Sequence, residues 1–207
     1  MAPPDADNWA AWARDLTRRD RVIARLYERH GPPSPTWQRG SAFVALARSI
    51  VFQQLAGAAA RTIWSRVELA VGRPFTAERV RLTSDDALRA AGLSSSKLRA
   101  VRDLSERVGS GELKLAGLSR VVDDEEIIRR LIVVRGVGRW TAEMFLLFKL
   151  RRPDVWPTND YGVQKGFMLA HRRAELPSPK DLLEEGERFR PYRSVAAWYL
   201  WRASEDG

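Results

Sequence analysis

Two apolar helical runs meet across a very short junction in LIVVRGVGRWTAEMFLLF, residues 131–148, and no other feature restricts the fold so much. Ahead of it, Asp123 and Asp124 lead a helix expected to bury Ile127, Ile128, Leu131 and Ile132. Behind it, a second helix is expected from Arg139 to about Leu150, stopping before Pro153. The turn carries Gly136 and Gly138, the residue type a chain uses where φ is positive or where backbone lies close to another molecule. Taken alone, the pattern fits equally a tight helix–helix connection that binds nothing. Its flanks add charge: Arg135 and Arg139 bracket the turn, and the helix N-terminus behind Gly138 contributes partial positive charge. Outward N–H groups in such a setting suit phosphate, and they grip a nucleic-acid backbone without reading its bases.

The remaining segments also read as helix. Residues 9–29 end at Gly31-Pro32-Pro33, and residues 41–70 carry Phe43, Leu46, Ile50, Ile63 and Val67 at helical spacing, interrupted near Ala56-Gly57. Thr83 to Asp86 cap a short helix that Gly92 closes, and Ser94 to Ser96 start another with Leu98, Val101, Leu104 and Val108 on one face. Three further short helices fit 160–171, 179–189 and 191–203. Convincing alternation of apolar and polar residues is missing, so the fold class expected is all-α.

Composition narrows the partners. The 207 residues carry a net charge of +9, which biases a chain toward polyanions because neutralised phosphates release counterions. A generally Arg-rich background would produce the same excess. With no cysteine, disulfides, zinc thiolate sites and Cys-ligated iron–sulfur clusters are excluded, and His30 and His171 stand far apart in sequence, so a transition-metal site is not expected. No run reaches the ~18 apolar residues of a membrane helix. The N-terminus MAPPDADNW does not read as a secretory signal, so the expected location is the cytoplasm or its nucleoid.

Twenty residues after Trp140, one carboxylate, Asp160, precedes Tyr161-Gly162-Val163-Gln164, where it also reads as a helix N-cap. LIVVRGVGRWTAEMFLLFKL followed by RPDVWPTNDYGVQKGF resembles the helix-hairpin-helix DNA glycosylase superfamily, and within it the bacterial DNA-3-methyladenine glycosylase II group with its yeast relatives. FVALARSIVFQQLAGAAARTIWSRV is similar to the early helix pair of that group, AAGLSSSKLRAVRDLSERV to its middle and RPYRSVAAWYLWRA to its closing helix. The resemblance spans about residues 41–203. It implies two helical subdomains with the active-site cleft between them. One is residues 42–152 with the hairpin, and the other combines residues 1–41 with 153–207. The chain is too short to hold also the mixed α/β domain that precedes these subdomains in some members.

The same resemblance assigns roles. Asp160 aligns with the catalytic aspartate of a monofunctional enzyme that flips alkylated purines out of duplex DNA and hydrolyses the N-glycosidic bond. Asn159 stands where related sequences often carry a second Asp. Trp140 occupies the position at which bifunctional members carry a nucleophilic lysine, which implies hydrolysis without AP-lyase chemistry. Trp140, Met144 and Trp201 fall at base-pocket positions, Met144 replacing a Tyr of one relative. Core packing is the ordinary reading of a tryptophan such as Trp140, and it suits Trp198 and Tyr199.

Gln53, Gln54 and Leu55 lie where relatives insert a side chain into the duplex, with Gln54 aligned to the wedge and Leu55 beside it; a solvated turn is the plain alternative. Ala56 and Ala58 replace polar or basic residues, which implies one missing phosphate contact. Arg135, Gly136, Val137, Gly138, Arg139, Thr141 and Lys165 complete the expected DNA-binding set. The carbonyls of Ile132, Val134 and Val137 align with ligands of a Na⁺ or K⁺ ion, and no cofactor is otherwise required. The expected partner of a monomeric chain is duplex DNA containing alkylated bases. Glycosylases of other specificity (ethenoadenine, hypoxanthine, uracil) and a non-catalytic DNA-binding helix-hairpin-helix protein remain alternatives.

Overall fold

The computed structural model describes residues 6–55 and 57–207, and every regular element among them is helical. The N-terminal residues 1–5 and Ala56, and with them part of the signal-peptide and phosphate-contact readings, lie outside the described residues. In chain order the helices are α1 (Ala6–Arg19), α2 (Arg21–His30), α3 (Ala42–Phe52), α4 (Gly57–Val71), α5 (Ala77–Leu82) and α6 (Asp85–Ala90). They continue with α7 (Ser95–Ser110), α8 (Asp124–Leu131), α9 (Arg139–Phe148), α10 (Tyr161–Ala170), α11 (Pro179–Gly186) and α12 (Arg193–Asp206).

The helix expected over 9–29 is two helices. Asp20 leaves the helical region (φ −134°, ψ 119°) and accepts from the N–H groups of Val22 and Ile23 at 2.8 and 2.9 Å, so it caps α2 and ends α1. A capping side chain inside an apolar-periodic run is easily missed, because the period continues through it. Helix α5 went unread, being too short to display a period, although Thr76 caps it by accepting from Arg79 N–H at 3.3 Å. Ile132 is not buried as expected: α8 stops at Leu131, and Ile132 is 46% exposed in the turn.

The chain divides into two compact units. One, Gln38–Phe145, holds α3 to α8 and the first two turns of α9. Helix α7 is its spine, packed by α3, α5 and α6 through Leu98, Val101 and Leu104. Truncating the fully buried Leu104 to Ala would cost ~2–5 kcal/mol.

The other unit takes the described residues up to Trp37 together with Leu146–Gly207. Helix α12 runs through its middle against α10, α2 and α1 and buries Val195 to Leu200. At Gly166 a Cβ would lie 1.8 Å from the carbonyl oxygen of Leu200, so α10 and α12 touch backbone to backbone. The boundaries, after Trp37 and within α9 after Phe145, differ by a few residues from the 41/42 and 152/153 divisions expected.

Candidate active site

Asp160 is buried at the N-cap of α10 (φ −81°, ψ 118°). Its Oδ1 accepts the N–H of Val163 at 2.9 Å and the indole Nε1–H of Trp201 at 2.8 Å. The Pro157 carbonyl accepts Asp160 N–H at 3.0 Å, and Gln164 Nε2 donates to the Thr158 carbonyl at 2.9 Å, so the loop leading to the acid is tied at both ends. The cap and the indole together fix the carboxylate. Asn159 is exposed.

Trp201 reaches Asp160 because residue 162 is glycine. A Cβ there would stand 2.8 Å from Trp201 Cδ1 and 3.1 Å from Asp160 Oδ1. The indole stacks on Phe148 with centroids 5.7 Å apart and planes 24° apart. Beside it opens a cavity of about 420 Å³, lined by Pro35, Phe148, Gly162, Trp198 and Trp201 and equally by the polar Ser34, Thr36, Arg202, Ser204 and Glu205. That size is ordinary for a small-molecule site, and its aromatic walls suit a planar ring.

In the other unit, the hairpin is built as its glycines require. Gly136 has φ +75° and would bring a Cβ to 3.2 Å from Ala100 Cβ. Gly138 has no positive φ, and a Cβ there would meet nothing within 4 Å. Neither backbone conformation nor internal packing therefore demands that second glycine. The N–H of Arg135 is already taken by Asp103 Oδ2 at 2.8 Å, and Val137 N–H donates to the Val134 carbonyl at 3.0 Å. The first N–H groups of α9 lie beyond the reach of intrahelical acceptors, as at any helix start.

A profile of HhH-GPD superfamily base excision DNA repair proteins matches residues 47–191. The chain belongs to that superfamily. DNA-3-methyladenine glycosylase 1 of Schizosaccharomyces pombe is 33% identical over 175 residues, covering 84% of this chain and 77% of the relative. The solved complex of the Schizosaccharomyces pombe 3-methyladenine DNA glycosylase with abasic DNA superposes with a TM-score of 0.85 at 31% identity, covering 94% of this chain and 97% of that one. A Bacillus halodurans DNA-3-methyladenine glycosidase superposes at 0.82 with 34% identity, over 93% and 88% of the two chains.

Within this HhH-GPD chain, several residues expected at the DNA are occupied by the protein. The Thr141 side chain is buried, and its hydroxyl accepts from Gln53 Nε2 at 3.0 Å, so the hydroxyl does not face outward. Gln53 also donates to the Gly136 carbonyl at 2.9 Å. The guanidinium of Arg139 pairs with both carboxylate oxygens of Glu125, and its Nε donates to the buried Glu143 at 3.0 Å. Those hydrogen bonds raise the pKa of Arg139, and the Arg139 bond holds Glu125 below the usual carboxylate range. Lys165 Nζ donates to the Ser204 carbonyl at 3.1 Å. Arg139 is thus matched by two carboxylates, whereas Lys165 meets only a neutral carbonyl and keeps its charge. Arg135 is exposed.

Trp140 is 42% exposed, which removes the core-filling reading, whereas Met144 is buried. Tyr199 and Trp198 are core residues, Trp198 also reaching the cavity. Gln54 is exposed with φ +54°, and Leu55 and Ala58 are exposed beside it. Of the carbonyls aligned to a monovalent cation, that of Val134 accepts Val137 N–H and keeps one lone pair; all three are hard oxygen donors of the kind Na⁺ or K⁺ takes. Among the described residues no cluster of His, Asp or Glu suits a metal, and no helix is long and apolar enough to cross a membrane.

Sequence reasoning missed Phe148, Gly162, Asp103 and the Glu125–Arg139–Glu143 group. Only Gly162 left a signal: a poor helix former in the first turn of α10, where capping does not call for one.

Proposed function

We propose that this chain is a monofunctional DNA glycosylase of the 3-methyladenine glycosylase II type, acting as a monomer on duplex DNA in base-excision repair in the cytoplasm. The observation that carries the reading is Asp160: a buried carboxylate held by a backbone N–H and an indole N–H, beside an aromatic-walled cavity, in a chain of this superfamily. Support for the substrate class comes from relatives named for 3-methyladenine at 31–34% identity.

A carboxylate beside the sugar stabilises the positive charge that develops as the glycosidic bond breaks, and it orients and deprotonates the attacking water. The water oxygen bonds to the anomeric carbon, the N–C bonding pair leaves with the base, and the water proton passes to the carboxylate. A purine alkylated at N3 or N7 is cationic and leaves without protonation, so one acid suffices. We assign Trp140 and Met144 in the hairpin unit, and Trp201 in the other, to the base. A cation over an aromatic face gains ~0.5–2 kcal/mol per contact. Arg135 and the backbone from Gly136 to Arg139 would hold phosphate, Gln54 or Leu55 would fill the gap left by the flipped base, and a Na⁺ or K⁺ ion on the hairpin carbonyls would add charge to that grip. Apart from that ion the reaction needs water alone.

The decisive assay measures bases released from methylated duplex DNA, with ethenoadenine, hypoxanthine and uracil duplexes in parallel. Release of 3-methyladenine and 7-methylguanine is the expected result. Salt-dependent duplex binding without release of any base would establish a non-catalytic DNA-binding protein instead. Preferential release of a deaminated or etheno base would move the specificity to the buried, adaptable Met144.

A further inference from the structure

We propose that Gln53 is a positioning residue that locks the turn after α3 to the Gly-x-Gly hairpin, so that the duplex-probing residues and the phosphate grip keep one fixed register. The inference rests on the base-flipping reading given above. Its two observations are the hydrogen bonds from Gln53 Nε2 to the Gly136 carbonyl at 2.9 Å and to Thr141 Oγ1 at 3.0 Å. The Gly136 carbonyl can only accept, which fixes the orientation of the amide, and the two contacts use both N–H groups of that nitrogen.

The acceptors stand on the two sides of the hairpin. Gly136 is the positive-φ residue of the turn, and Thr141 lies in the first turn of α9 with its side chain buried. One amide therefore spans the segment whose N–H groups open α9. Gln53 is the C-cap that follows α3, with non-helical backbone (φ −53°, ψ 135°), and the next residue, Gln54, sits in the left-handed region at φ +54°. A non-glycine residue held there needs its surroundings to over-determine the turn. Lys97 Nζ supplies a second restraint by donating to the Val51 carbonyl at 2.6 Å. Exposed Gln54 and Leu55 are thus carried on a turn bolted on one side to α7 and on the other to the hairpin.

The geometry reassigns Gln53 and Thr141 from contacting DNA to aligning the groups that do. A phosphate ligand and a brace differ in what their loss does. Removing a phosphate contact lowers the slope of log affinity against log salt by about one, whereas removing a brace leaves the slope and misplaces the wedge.

The test compares wild type with Gln53→Ala, Gln53→Glu, Thr141→Val and the Gln53→Ala/Thr141→Val pair. It measures salt-dependent binding to undamaged duplex, single-turnover base release from methylated duplex at saturating enzyme, and amide hydrogen exchange across residues 136–141. Gln53→Ala should slow single-turnover release roughly 10–100-fold, leave the salt slope unchanged and speed hairpin exchange. Gln53→Glu should fall at least as far, since a carboxylate cannot donate to the Gly136 carbonyl. Thr141→Val should lose less, and the pair should be no worse than Gln53→Ala, as two changes to one contact are not additive. A salt slope reduced by about one in Gln53→Ala, or unchanged release, or slowed release with unchanged hairpin exchange would each overturn the proposal. If wild type releases no base, the glycosylase reading falls, while the exchange and salt measurements still decide whether Gln53 braces the hairpin.

Discussion

The indole of Trp201 donates its N–H to Oδ1 of Asp160 at 2.8 Å, and the same oxygen caps α10. An asparagine at position 160 keeps an oxygen able to accept both bonds. Asp160→Asn should therefore retain fold and duplex affinity, with binding equal or tighter once a charge repelling phosphate is gone, and it should abolish base release. Single-turnover excision checks this. Activity above about a tenth of wild type, a loss of only ~1.4 kcal/mol of barrier lowering, would show that Asp160 is not the catalytic carboxylate.

Gly138→Ala isolates the hairpin. Because a Cβ there meets nothing within 4 Å and φ is not positive, the variant should fold with unchanged thermal stability. It should nevertheless bind lesion and undamaged duplexes more weakly, and by the same factor, since backbone contacts see phosphate and not base. Equal affinity of wild type and variant for undamaged duplex would remove the hairpin from the interface. Charge reversal at Arg139 is a poorer probe, because it would also set a carboxylate against Glu125 and the buried Glu143.

Gly136 and the N-cap Asp160 were legible in the sequence because each answers a local demand, a turn and a cap, whereas Trp201 was singled out through the family resemblance. What lay beyond reach was long-range bonding. Arg139 reads as a free cation until Glu125, fourteen residues earlier, is found against it, and Gln53 meets Gly136 across eighty-three residues. Helix α2 was hidden for the opposite reason: the apolar period runs unbroken through Asp20 while the backbone does not. Spacing reports the face a residue occupies, and it is silent about which distant partner consumes its hydrogen bonds.

Base release should proceed without strand cleavage, since an indole at position 140 cannot form an imine with the sugar. Borohydride added during turnover should trap no protein–DNA adduct, and strands should break only after alkali or heat. Lys165 is the nearest lysine to Asp160 in sequence, and its Nζ is engaged by the Ser204 carbonyl at 3.1 Å. An adduct that vanished in Lys165→Ala would show that this bond opens and that the chain has lyase chemistry.

His171, at the C-terminal end of α10, should make stability pH-dependent. Its Nε2 faces the Arg188 guanidinium at 2.8 Å, which can only donate, and its Nδ1 faces the Phe167 carbonyl at 3.0 Å, so the folded form holds a neutral ring with the proton on Nδ1. Burial first, and Arg188 after it, push the pKa below 6.5 against the smaller opposing pull of the Phe167 carbonyl, Asp20 and Glu185. With the folded value depressed, the unfolded chain takes up the proton first on acidification. Stability should be full above pH 6.5 and fall as the pH drops from there toward the folded value. Urea denaturation of wild type and His171→Gln across that window checks it: the variant should show a flatter dependence, and parallel curves would clear His171 of the effect.

The Gly166–Leu200 contact carries a consequence for how such a site can diversify. The helices bearing Asp160 and Trp201 meet where a single methyl group would not fit, so their separation has no room to be tuned gradually. A lineage shifting to new bases could not slide one helix against the other by enlarging side chains at the crossing. It would have to keep the acid and the indole at their present spacing and vary the walls around them, at positions such as Pro35 and Glu205 that line the cavity. In this unit the acid–indole pair is held by a crossing that leaves no room for adjustment, and novelty is left to its periphery.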